Sequence, residues 1–97
     1  MARFDAWPEG DGWLLEVQAD LLRDLNTRIV VPLLPPDRAP RPAARLNPVL
    51  VVQGAPQVMV TQFLSAVPAG LLKGAPVSLL PDSDAITNAL DLLLTGV

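Results

Sequence analysis

The sequence contains no cysteine, histidine or tyrosine. Without cysteine there is neither a disulfide frame nor a thiolate metal site, so the fold must rest on apolar burial, which suits a reducing compartment. Without histidine and cysteine the commonest general acid–base group and the thiol nucleophile are missing, and catalysis is left with carboxylates, arginines and hydroxyls. No glycine-rich phosphate loop precedes a helix. No metal or cofactor site is therefore expected. Positive charge is also scarce: the net charge is −3 and no lysine–arginine run occurs, which argues against nucleic-acid binding through the phosphate backbone. A protein partner is the better default.

Two further absences bear on location. Met1-Ala2-Arg3-Phe4-Asp5 has no apolar run behind its positive charge and does not read as a signal peptide, so a cytoplasmic protein is expected. The uncharged stretch Leu46 to Leu72 exceeds the roughly 20 apolar residues of a membrane helix. Pro48, Pro56 and Pro68 would break such a helix, and Gln53, Gly54, Gln57 and Gln62 are costly in lipid.

What is present reads as one β-rich domain spanning all 97 residues. Phe4–Trp7 and Gly12–Gln18 form a predicted hairpin around Pro8-Glu9-Gly10-Asp11. In its second strand Trp13, Leu15 and Val17 share one face while Leu14, Glu16 and Gln18 share the other. Trp7 and Trp13 read as core residues rather than as a cofactor site. Ala19–Thr27 is polar enough for a loop or a single helical turn, and the adjacent Leu21 and Leu22 in it read by pattern alone as packing. Arg28–Leu34 is a β-branched strand in which Pro32 suggests an edge or a bulge. The proline-rich Pro35–Pro42 follows as a stiff connector. Pro48–Gln53 and Gln57–Leu64 are predicted strands around the turn Gly54-Ala55-Pro56, and Val67–Leu72 and Val77–Leu80 are short final strands. Short strands separated by glycine and proline turns, without interleaved helices, favour a small barrel or sandwich.

After Pro81 the period changes. Ile86, Ala89, Leu90, Leu93 and Val97 keep the spacing of one helical face, which predicts a helix over about Asp82–Leu94. Asp82, Ser83 and Asp84 supply capping oxygens and negative charge at its start, a commoner role there than a catalytic carboxylate pair. Gly96 stands where helices end in a left-handed residue. Leu92 and Leu94 lie off the main stripe and widen the apolar surface. Arg38, Arg41 and Arg45 form the only positive cluster; they either keep a loop solvated or receive a carboxylate-bearing peptide or a phosphate.

In order and spacing, Val17-Gln18-Ala19-Asp20-Leu21-Leu22, Arg28-Ile29-Val30-Val31-Pro32-Leu33, Leu46-Asn47-Pro48-Val49, Met59-Val60-Thr61, Ser65-Ala66-Val67-Pro68 and the terminal helix resemble the CcdB toxin family over nearly the whole chain. The resemblance implies a mainly β protein, a small SH3-like barrel of the CcdB/MazF type with one C-terminal helix. It also implies a cytoplasmic homodimer, a non-enzymatic toxin of a type II toxin–antitoxin system. Such toxins bind the A subunit of DNA gyrase, trap the cleaved-DNA complex and are neutralised by a CcdA-like antitoxin, here with Arg38, Arg41 and Arg45 as candidate contacts. Leu21, Leu22, Asp91 and Leu94 fall on family positions used against gyrase, and Thr95, Gly96 and Val97 stand where the family carries Trp-Gly-Ile. Gly96 matches and Val97 is a mild change. Thr95 replaces a large buried anchor of a kind worth about 2 kcal/mol or more, so weakened poisoning is expected. The alternatives are a MazF-like endoribonuclease using the Arg38–Arg45 loop, and a non-toxic paralogue that only binds an antitoxin. One barrel hosts several activities, so the fold alone does not choose. The apolar Leu46–Leu72 stretch independently favours a dimer.

Overall fold

A computed structural model describes residues 2–97. The elements run β1 (Asp5–Glu9), β2 (Gly12–Glu16), β3 (Thr27–Leu34), β4 (Val49–Val52), β5 (Ala55–Met59), β6 (Ser65–Pro68), β7 (Val77–Ser78) and α1 (Ser83–Thr95), with single 3-10 turns at Asp20–Leu22, Thr61–Phe63, Ala69–Leu71 and Leu80–Asp82. The strands form one antiparallel sheet in the order β4-β5-β3-β2-β1-β7, with β6 also on β3. The sheet curls into a nearly closed barrel with α1 after it, so the mainly β fold with one C-terminal helix is as expected.

The β-branched β3 is the spine. Its Val30–Leu33 segment pairs with β2, from Trp13↔Leu33 to Glu16↔Val30. On its other side Thr27–Val30 pairs with β6 and Leu33–Leu34 with β5. Pro32 is thus central, not at an edge or a bulge as its missing N–H suggests. Val17 donates to the Ile29 carbonyl across β2 and β3, and antiparallel bonding alternates, so Pro32 directs its nitrogen away from β2. There it meets the break between β6 and β5, while its carbonyl accepts the Val60 N–H. Gly12 is required by approach: a Cβ there would lie 2.2 Å from the Leu33 carbonyl oxygen.

Both hairpins are tighter than the sequence suggests. The first closes at Glu9↔Gly12, leaving only Gly10 and Asp11 outside the ladder, with Pro8 opposite Trp13. The second closes at Val52↔Ala55, and Gln53 and Gly54 both take positive φ, 52° and 81°. That is the left-handed pair a two-residue turn needs to match strand twist. Ala55 and Pro56 therefore belong to β5 and not to the turn. The strand predicted over Gln57–Leu64 stops at Met59, because Val60 turns into the Thr61–Phe63 helical turn, and Phe63 ends 52 % exposed. The predicted Val67–Leu72 strand is shifted to Ser65–Pro68, its second half coiling into a 3-10 turn.

The main core lies between the inner sheet face, with Ala6, Leu15, Val17, Val31 and Leu33, and the helix residues Ile86, Ala89 and Leu90; Trp13 packs against it half-buried. A second cluster on the opposite face holds Trp7, Val30 and Leu72. Asn47 and Thr61, both buried, secure the long connector to the barrel. Asn47 Nδ2 donates to the Met59 carbonyl and Gln62 Oε1, its Oδ1 accepts the Ala43 N–H, and Thr61 Oγ1 donates to the Leu46 carbonyl.

Helix α1 begins without a side-chain cap from Asp82, because the chain enters it directly from the Leu80–Asp82 turn. The capping role expected of the acidic cluster is thus not filled by a hydrogen bond. Gly96 closes the helix as expected, left-handed at φ 78°, its N–H shared by the Asp91 and Leu92 carbonyls. Val97 leaves the predicted stripe and is 80 % exposed, since the helix stops before reaching it.

Candidate functional site

A groove of about 330 Å³ separates the Val17–Leu22 segment from the C-terminal half of α1. Buried Val17 and Leu90 and half-buried Ile29 and Leu64 make its apolar lining; exposed Leu22, Asp91 and Leu94 stand at its border with Arg3, Gln18 and Thr87. Three residues singled out by sequence, Leu22, Asp91 and Leu94, therefore meet across about seventy positions of chain. Leu21, beside them, does not line the groove but is 90 % exposed, and Leu25 is also half exposed. The packing reading of the Leu21–Leu22 pair is thus replaced: both point outward.

The C-terminal segment lies just past the groove. Thr95 Oγ1 donates to the Asp91 carbonyl at 2.7 Å, so this hydroxyl ties off its own helix. Arg45 Nη2 donates to the Val97 carbonyl at 3.0 Å, linking the connector to the tail across 52 positions. Arg45 itself takes a left-handed backbone, φ 44°. Arg38 instead meets Asp11 at the first hairpin, 2.6 Å away and with both side chains more than half exposed, a kind of pair that contributes little to stability. Arg41 is exposed on the connector. Arg38 and Arg45 thus serve different neighbours rather than sharing one anion site.

The loop that carries the leucines is held by groups the sequence pattern does not single out. Every residue from Ala19 to Thr27 is exposed, yet the loop folds into successive turns: Leu22 N–H to Ala19 O, Arg23 to Asp20 and Leu25 to Leu22. Buried Gln18 donates through Nε2 to the Leu22 carbonyl at 2.9 Å and accepts the Ile29 N–H on Oε1. Buried Arg28 donates to three carbonyls, Leu25 and Thr27 from Nη1 and Arg23 from Nη2. Asp20 Oδ1 adds a bond from the Arg3 N–H, and the Arg3 guanidinium lies 4.5 Å over the Phe4 ring.

Behind Arg28, Glu16 is only 2 % exposed, with Oε2 at 3.8 Å from Arg28 Nε and Oε1 accepting the Trp7 indole N–H at 3.3 Å. Burial pushes the Glu16 carboxyl above its ordinary value; the Trp7 bond and the Arg28 charge oppose that push without cancelling it. The available signal was geometric: the β2–β3 register, carried two residues on from Glu16↔Val30, sets Gln18 opposite Arg28.

Chemically the groove offers an apolar lining with an arginine, an amide, a hydroxyl and a carboxylate at its border, equipment for recognising an amphipathic protein surface. Among the described residues, no three histidine, cysteine, aspartate or glutamate side chains gather as metal ligands, and no helix is long and apolar enough to cross a membrane. The sequence profile described as CcdB protein matches residues 5–96. No curated protein matches the chain.

Proposed function

The chain belongs to the CcdB family, the toxins of toxin–antitoxin systems, and from that premise we propose that it is a cytoplasmic homodimer that binds the A subunit of DNA gyrase and traps the cleaved-DNA complex. It does so without catalysing a reaction, and a CcdA-like antitoxin neutralises it. What carries the reading is the convergence of Leu22, Asp91 and Leu94 on one groove, with Leu21 exposed beside them. Membership of the family supports this choice of partner, and the groove offers a contact of suitable chemistry.

Thr95 sets the strength. Its hydroxyl is spent on the Asp91 carbonyl, so it presents neither the area nor the stacking face of a tryptophan. The loss of about 2 kcal/mol or more corresponds to roughly thirty-fold in affinity. Expression in a sensitive bacterium with an assay of gyrase-dependent DNA cleavage tests this. Weak cleavage is expected; strong poisoning that disappears on deletion of Thr95 to Val97 would refute the weakened form. Growth without arrest and without gyrase binding would leave the non-toxic antitoxin binder.

Dimerisation is supported by β4. This strand ends the sheet order, and Val49 and Val51 stand 56 % and 62 % exposed on it with no charged residue between. An unprotected apolar edge of this kind invites a partner. The endoribonuclease alternative gains no support from the arginines, two of which are engaged with Asp11 and Val97.

A further inference from the structure

A loop in which no residue is buried has no hydrophobic reason to hold one shape, yet Asp20–Asn26 displays three leucines, 90 %, 47 % and 51 % exposed at positions 21, 22 and 25. Its order must come from elsewhere. The groups that supply it are polar and lie beneath it: Gln18 and Arg28 are 7 % and 6 % exposed, and between them they bond the carbonyls of Leu22, Arg23, Leu25 and Thr27. A guanidinium serving three carbonyls is a planar fork that no other side chain reproduces. Charge-assisted bonds in a buried setting are also stronger than the neutral bonds of an ordinary turn.

We propose that Arg28 and Gln18 are positioning residues of the groove: they fix the Asp20–Asn26 loop from below, so that Leu21, Leu22 and Leu25 reach a partner already arranged. Preorganisation raises affinity by removing the ordering cost from the binding step. Arg28 lies outside the groove lining, whereas Gln18 also borders the groove, so the Arg28 variants separate positioning from contact. Glu16 belongs to the frame, because its carboxylate faces Arg28 Nε, the one guanidinium nitrogen without a hydrogen-bond partner. The identity of the partner rests on the gyrase reading; the fixing of the loop does not.

Site-resolved hydrogen exchange on the whole protein, followed by binding to purified gyrase A subunit, tests both parts. Arg28→Met alone strands the Glu16 carboxylate and can unfold the chain, so the informative variants are Gln18→Met and the pair Arg28→Met with Glu16→Gln. In each, the amides of Leu22, Arg23 and Leu25 should exchange about tenfold faster or more, while those of Val30, Leu33 and Met59 keep their protection. Affinity for gyrase A should fall about tenfold or more. Arg28→Lys, which keeps the charge but not the fork, should fall between. Unchanged exchange in the loop overturns the positioning role, and so does a loosened loop with undiminished affinity. If wild type itself fails to bind gyrase A while the loop loosens as expected, the gyrase reading falls and the fixing of the loop by Arg28 and Gln18 stands.

Discussion

Helix α1 has two faces that a pair of alanine substitutions should separate. Ile86 is fully buried among the main-core residues, whereas Leu94, two turns on, is 68 % exposed at the groove. Ile86→Ala removes three carbons at about 0.8 kcal/mol each, and the cavity left behind raises the loss to about 3–4 kcal/mol. For a domain of this length that lowers Tm by on the order of 15–25 °C. A stability of about 5–10 kcal/mol would still keep the variant folded at room temperature. Leu94→Ala should change stability by no more than about 0.5 kcal/mol while weakening gyrase A binding by about tenfold, the scale of one moderate interface contact. Denaturant titration gives the first quantity and calorimetric binding the second. A loss under about 1 kcal/mol for Ile86→Ala would contradict the buried anchor, the low end for a core truncation being about twice that. A Leu94→Ala variant as unstable as Ile86→Ala would show that the groove border is part of the core, and the division of the helix would be wrong.

Other outcomes follow from features off the helix. Gly12→Ala sets a methyl against the Leu33 carbonyl and should cost about 2 kcal/mol or more, read as a lower guanidinium midpoint, as β2 and β3 are forced apart. Because burial raises the folded-state value of Glu16 above its ordinary 4.5, its contribution is fully present below that pH and is lost as pH rises through the raised value. The stability difference between wild type and Glu16→Gln should therefore be level below pH 4.5 and tilt toward the variant above it; a tilt toward wild type would reverse the assignment of burial as the dominant cause. Val51→Lys should convert a micromolar dimer to monomer in sedimentation at nearly unchanged Tm, and a monomeric wild type would remove the dimer altogether.

Much of this architecture is legible in the chain, but unevenly. The helix is, because Ile86, Ala89 and Leu90 repeat at a period no strand can satisfy. The inner face of β2 is legible for the corresponding reason. Prolines mislead: Pro8 and Pro56 read as turn residues, yet both sit inside ladders opposite Trp13 and Val51. A missing donor is harmless wherever the register turns that nitrogen outward, and register is a pairing property absent from any single strand. The groove residues are legible only through likeness to a family; composition alone assigns Leu21 and Leu22 to packing. Gln18, Arg28 and Glu16 carry no distinguishing signal in the sequence, because an alternating strand places polar residues on its second face by default. Only the partner strand and the loop above reveal that this face is covered.

Pro32 has a consequence for the chain before it folds. Thr27–Leu34 is the longest strand and the most β-prone segment, mostly β-branched and aliphatic with its one charge near the start. Segments of that composition, exposed on a ribosome or in a crowded unfolded pool, stack into cross-β assemblies when nothing interrupts them. A proline in the third-last place denies such a stack one rung of every layer. In the native sheet that same missing rung falls where β6 gives way to β5, and no ladder bond is given up. The residue thus guards solubility at a position where the native sheet has no use for an N–H.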